Sequence, residues 1–141
     1  MFVQNRNEAR DYFFQVWDKH KNKLPLEPIE VIISDVIAEH PEYHHYLDDQ
    51  ELSSKNDFKP EQNQTNPFLH MGMHIALKEQ VSSDRPSGII QVFNQIMNKS
   101  VSVHDAEHKM MECLGQSLWE AQRNNSLPDE NQYLECLRRI P

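Results

Sequence analysis

An all-α fold, a helical bundle of about six or seven helices with no sheet, follows from the pattern of apolar residues and prolines. Apolar side chains recur at helical spacing, and the 8 prolines fall mainly at the ends of those stretches. No run of alternating β-branched residues competes with this pattern. At 141 residues the chain is long enough for one hydrophobic core, so a single domain over 1–141 is expected.

The elements follow in order. Asn5 can cap a first helix with Glu8 three positions on, and that helix buries Ala9, Tyr12, Phe13, Val16 and Trp17. Leu24 to Pro28 breaks it, and Pro28 opens a second helix burying Ile29, Ile32, Ile33, Val36 and Ile37. His40-Pro41 ends that one, because a residue before proline is pushed out of the helical region. A short helix over about Pro41 to Asp48 follows. Residues 49–66 read as a polar loop, with Leu52 and Phe58 as anchors. Asn66 caps a helix that starts at Pro67 and runs to about Ser82. Arg85 to Gly88 is a turn, and Ile89 to Asn98 forms a helix. Ser102 with Asp105 opens a longer helix to about Arg123, carried by Met111, Leu114, Leu118 and Trp119. Ser126 to Asp129 starts the last helix, with Tyr133, Leu134, Leu137 and Ile140.

Charge and composition exclude several classes. The formal net charge is −8, and the densest basic cluster, Lys19 to Lys23, sits at a helix end where cations suit the dipole. Nucleic acid is not an expected partner, since phosphate binding needs a concentrated basic surface. No apolar stretch reaches the roughly 18 residues a spanning helix needs, so no membrane is expected. Met1 to Glu8 carries no apolar leader. Cys113 and Cys136 do not form a Cys-x-x-Cys motif and sit among apolar residues, which reads as two buried free thiols. A cytoplasmic protein is the expectation. No Gly-rich phosphate loop, nucleophile elbow or dinucleotide fingerprint is present.

The histidines carry the functional signal. Of the 8, seven fall in three places: His40, His44 and His45; His70 and His74; His104 and His108. Each place contains a spacing of four, where chance predicts roughly 0.4 such pairs in all. Residues four apart share a helix face, so two imidazoles can converge on one ion. His70 and His74 lie in the first two turns after Pro67, and Gly72 between them suggests close approach of a backbone or a bound group. His104 and His108 open a helix, with Glu112 next along the same face and Asp105 and Glu107 beside it. The 40/44 pair is interrupted by Pro41, which leaves His44 or His45 the stronger donor and His40 last. Glu42 with His45 also gives one Glu-x-x-His spacing, where carboxylate-bridged di-iron bundles use two. His20 stands apart as a surface residue. The expected ligands are therefore His70, His74, His104 and His108, then His44 and Glu112, then His40. Imidazole with carboxylate suits a divalent transition metal (zinc, iron or manganese) rather than calcium or magnesium.

Several segments also carry a resemblance. His40-Pro41-Glu42-Tyr43-His44, Thr65-Asn66-Pro67-Phe68-Leu69-His70 with His74 and Glu79-Gln80, and Ala106-Glu107-His108 are part of it. Met111-Glu112-Cys113-Leu114, Trp119-Glu120-Ala121-Gln122-Arg123 and Tyr133-Leu134-Glu135-Cys136-Leu137-Arg138-Arg139 complete it. Together they resemble a bacterial family of unknown function, domain-of-unknown-function family 1841, over nearly the whole chain. The resemblance implies a stand-alone member with no extra domain and supplies no activity. The local pattern is also similar to hemerythrin-like bundles, which bind two irons, although their full ligand order is missing here.

Three functions fit these observations. The first is a metal-binding helical bundle. The second is an HD-type metal-dependent phosphohydrolase, with His74, His104-Asp105 and Asp129 in the motif roles. The third is a non-catalytic interaction module, in which the histidines cap helices and one apolar face meets a protein partner or a second copy.

Overall fold

The computed structural model describes residues 6–55 and 66–141. The expected cap at Asn5 and anchor at Phe58 lie outside them. Among the described residues every regular element is helical, as the periodicity predicts. The backbone contacts group the chain into two compact units, Met1–Ile75 and Ala76–Pro141.

In the first unit, α1 (Arg6–Lys21) buries Phe13, Phe14, Val16 and Trp17 along one stripe. Helix α2 (Pro28–Ala38) packs on α1 and adds Ile33, Val36 and Ile37. Its N-terminus is fixed by Glu30, whose carboxylate accepts the Glu27 backbone N–H at 2.8 Å and Lys19 Nζ at 2.7 Å. Glu30 is 4% exposed, so this charge is held inside the fold by its two donors. A 3-10 turn (Pro41–Tyr43) and α3 (His44–Asp48) follow, and Leu47 joins the core. The indole N–H of Trp17 donates to Asp48 at 3.0 Å, tying α3 to α1.

Helix α4 (Gln50–Lys55) corrects the expected polar loop over 49–66, whose first part is helical. A polar contact from α1 reaches this segment. Arg10, 1% exposed, donates from Nη1 to the Ser53 carbonyl at 2.6 Å and lies over the Phe68 ring at 5.0 Å. Ser53 is itself buried and donates to the Tyr46 carbonyl. A buried guanidinium thus anchors a segment that shows no helical periodicity of apolar residues.

Helix α5 (Pro67–Ser83) starts as expected, with Asn66 Oδ1 accepting the N–H groups of Phe68 and Leu69 at 3.0 and 3.1 Å. Phe68, Met71 and Ile75 complete the core of the first unit. Gly72 departs from expectation: a Cβ built there meets nothing within 4 Å, so no backbone or side chain demands a glycine.

The second unit is built from α6 (Ile89–Met97), α7 (Val103–Arg123) and α8 (Glu130–Arg138), which pack pairwise. Gly88 precedes α6 at φ +96°, a left-handed setting that favours glycine. Ser102 caps α7 by accepting the Asp105 N–H at 3.1 Å. Asp105 in turn accepts the Val101 N–H at 3.1 Å, one residue before the expected partner. The buried stripe of α7 is Ala106, Met110, Cys113 and Leu114. Leu118 and Trp119, expected in the core, are instead 44% and 57% exposed, because the last turns of α7 run past the packed stripe. Tyr133, Leu134 and Leu137 seat α8, and Tyr133 Oη donates to Gln80 at 2.7 Å.

Cys113 and Cys136 are also not free thiols. They form a disulfide between α7 and α8, with Cα atoms 5.8 Å apart. Packing of α8 on α7 brings them together, which their separation of 23 residues does not reveal. Closing a loop of that size stabilises by about 3 kcal/mol in the chain-entropy account.

Two outcomes follow from the first unit and α5. Gly72→Ala removes helix-interior glycine with no steric penalty, so it raises stability by about 1 kcal/mol in denaturant titration. Glu30 is held below the ordinary carboxylate range by its bond from Lys19 first, then by the Glu27 N–H. Its stabilisation is full above the ordinary glutamate value and is lost as pH falls toward the lowered one. Glu30→Gln therefore flattens the acid limb of stability against pH; an unchanged limb contradicts this account.

Candidate metal centre

His40 owes its position to Pro41. The backbone at His40 has φ −125° and ψ 63°, outside the helical region, so α2 stops and the side chain turns back along it. Its Nδ1 lies 2.7 Å from the Val36 carbonyl. A carbonyl only accepts, so Nδ1 carries the proton and Nε2 is the lone-pair nitrogen of the neutral ring. That is the arrangement in which a protein holds a histidine for a metal. The ring is 1% exposed.

His74 is on α5, one turn after His70, and is 0% exposed. The His40 ring centroid is 4.7 Å from that of His74 and 5.2 Å from that of His70, and His70 is 4.9 Å from His74. Tyr43 stacks in parallel on His40 at 5.5 Å. Burial pushes the Tyr43 phenol up, followed in effect by the charge of Glu42, so it stays protonated at neutral pH. The first unit thus gathers three imidazoles under one phenol.

In the second unit His104 and His108 stand one turn apart on α7, with ring centroids 4.3 Å apart. His104 is half-buried and His108 exposed. Glu107 on the same helix is buried and pairs with Lys78 at 3.0 Å. Asp105 is held below its ordinary range chiefly by the Val101 N–H, with Lys109 also contributing.

Each unit thus has its own histidine set. In the first, His40 and His74 each offer a ring nitrogen within 4.8 Å of the other, and His70 adjoins both through ring contacts. In the second, His104 and His108 stand side by side. His44 is elsewhere: its Nε2 donates to the Ile37 carbonyl at 2.9 Å and its ring lies 4.5 Å from Trp17. Glu112 is exposed on α7. His20, read from sequence as a plain surface residue, stacks on the other contact of Trp17 at 5.4 Å and meets Ser34 Oγ at 2.8 Å.

The family model described as domain of unknown function (DUF1841) matches residues 5–139. The chain belongs to this family. No curated protein and no solved structure matches it.

Within this DUF1841 chain, the two carboxylates needed for the HD-type reading serve as helix caps. Asp129 accepts the Gln132 N–H at 3.1 Å at the start of α8, and Asp105 accepts the Val101 N–H. The Glu42-x-x-His45 pair is exposed on the turn before and within α3. The Nδ1 bond of His40 also predicts a spectroscopic signature. Long-range proton–nitrogen correlation spectra of the metal-free protein will show His40 as the Nδ1-protonated tautomer; an Nε2-protonated ring contradicts the assignment.

Proposed function

We propose that this protein binds a divalent transition metal through His40, His70 and His74 of the first unit. The single observation that carries the reading is the gathering of these three rings, whose centroids lie 4.7, 4.9 and 5.2 Å apart. Imidazoles with no carboxylate suit zinc, and iron less well, while manganese and the hard cations prefer oxygen. The di-iron carboxylate arrangement needs bridging acids that this group does not contain. Three protein ligands leave a tetrahedral ion one position for a water or a further ligand.

The Nδ1 bond from His40 to the Val36 carbonyl supports the reading, since it orients the ring and raises the basicity of Nε2. The helix-capping role of His44 explains that residue without a metal.

The test is elemental analysis and metal titration of protein purified without a histidine tag. About one zinc per chain is expected, lost in a His70→Ala/His74→Ala variant and kept in His44→Ala. Free metal at about one hundred times Kd raises stability by roughly 2.7 kcal/mol, and a chelator reverses the gain. Folded protein that takes up neither zinc, cobalt nor iron overturns the proposal.

A further inference from the structure

A second chemistry-bearing feature lies wholly within the second unit. The Cys113–Cys136 disulfide lines a groove of about 1030 Å³ formed by α7, α8 and the segment joining them. The two cysteines differ in exposure: Cys113 is 5% exposed in the core stripe of α7, whereas Cys136 on α8 is partly exposed. Gln116 and Gln132 line the groove with amides, Arg139 with a cation and Glu120 with a carboxylate.

We propose that this groove is a thiol-exchange site, at which a small zwitterionic peptide thiol attacks Cys136. The incoming thiolate forms a bond to Cys136 Sγ as the Cys113–Cys136 bond breaks. The electron pair leaves on Cys113 Sγ, which takes a proton from water and becomes a buried thiol. The product is a mixed disulfide on Cys136; a second thiol that attacks it on the sulfur of the first releases Cys136 as a thiol and an oxidised thiol dimer. Attack at Cys136 follows from access, since the thiolate must reach the sulfur along the S–S axis and Cys113 is covered. The amides suit the peptide groups of such a thiol, Arg139 its carboxylate and Glu120 its ammonium group.

Helix α8 is also held by contacts other than the disulfide: its cap at Asp129, its buried Tyr133, Leu134 and Leu137, and the Tyr133–Gln80 bond. On this proposal these contacts keep the helices of the second unit in place when the disulfide opens.

The experiment uses the full oxidised chain and reduced glutathione as the probe, with intact-mass analysis and peptide mapping after acid quenching. Expected are loss of the native disulfide, one glutathione adduct located on Cys136, a free thiol at Cys113 and unchanged helical circular dichroism. Glutathione disulfide added to a Cys113→Ser variant likewise modifies Cys136. A disulfide that survives millimolar glutathione, an adduct found mainly on Cys113, or loss of helicity on reduction each overturns the proposal. Mercaptoethanol, which lacks the peptide and charged groups, reacts more slowly at equal thiolate concentration; equal rates refute the part of the proposal that assigns recognition to the groove.

Discussion

The C-terminal end of α2 is the constraint from which the histidine cluster of the first unit follows. Pro41 stops the helix, and the backbone N–H of His40 turns to the Ile37 carbonyl instead of the one four residues back. The Val36 carbonyl is then filled by the His40 ring, and Ile37 also takes His44 Nε2. Two imidazoles thus complete the carbonyls that a helix end leaves open. One of them, His40, is thereby held with its ring beside those of His70 and His74 on α5. Capping and metal binding are compatible uses of that residue, since each employs a different nitrogen.

Polar groups do comparable work elsewhere in the first unit. Arg10 anchors α4 through a backbone carbonyl, and Glu30 joins α1 to the start of α2 through Lys19. Both are almost fully buried, and both would be costly to leave without their partners. The apolar stripe supplies the bulk of the burial, while these charged contacts fix which segment lies where.

Much of the fold was legible because helical spacing, prolines and capping residues agree with one another. Asn66, Ser102 and Asp129 act at helix starts as their residue types suggest. The misses have specific physical causes. Helix α4 depends on a buried arginine 43 residues away, which no local pattern reports. The disulfide needed the packing of α8 on α7, and the exposed Leu118 and Trp119 belong to a helix longer than its buried stripe. At the candidate centre the spacing of four sets the 70/74 rings side by side, and likewise the 104/108 rings. The interruption by Pro41 turns the His40 ring inward, which a same-helix spacing does not report, and Glu112 shares a helix with His104 and His108 but is exposed.

The placement of the 2 tryptophans has an optical consequence. Trp17, buried in the first unit, is flanked by the His20 and His44 rings and hydrogen-bonded to Asp48. Trp119, in the second unit, is half in water with the Arg123 guanidinium 5.2 Å above its ring. Their emission maxima separate, blue for the enclosed indole and red for the hydrated one. Each unit therefore contains its own intrinsic chromophore, and melting of one can be followed by fluorescence without a label while the other is still intact.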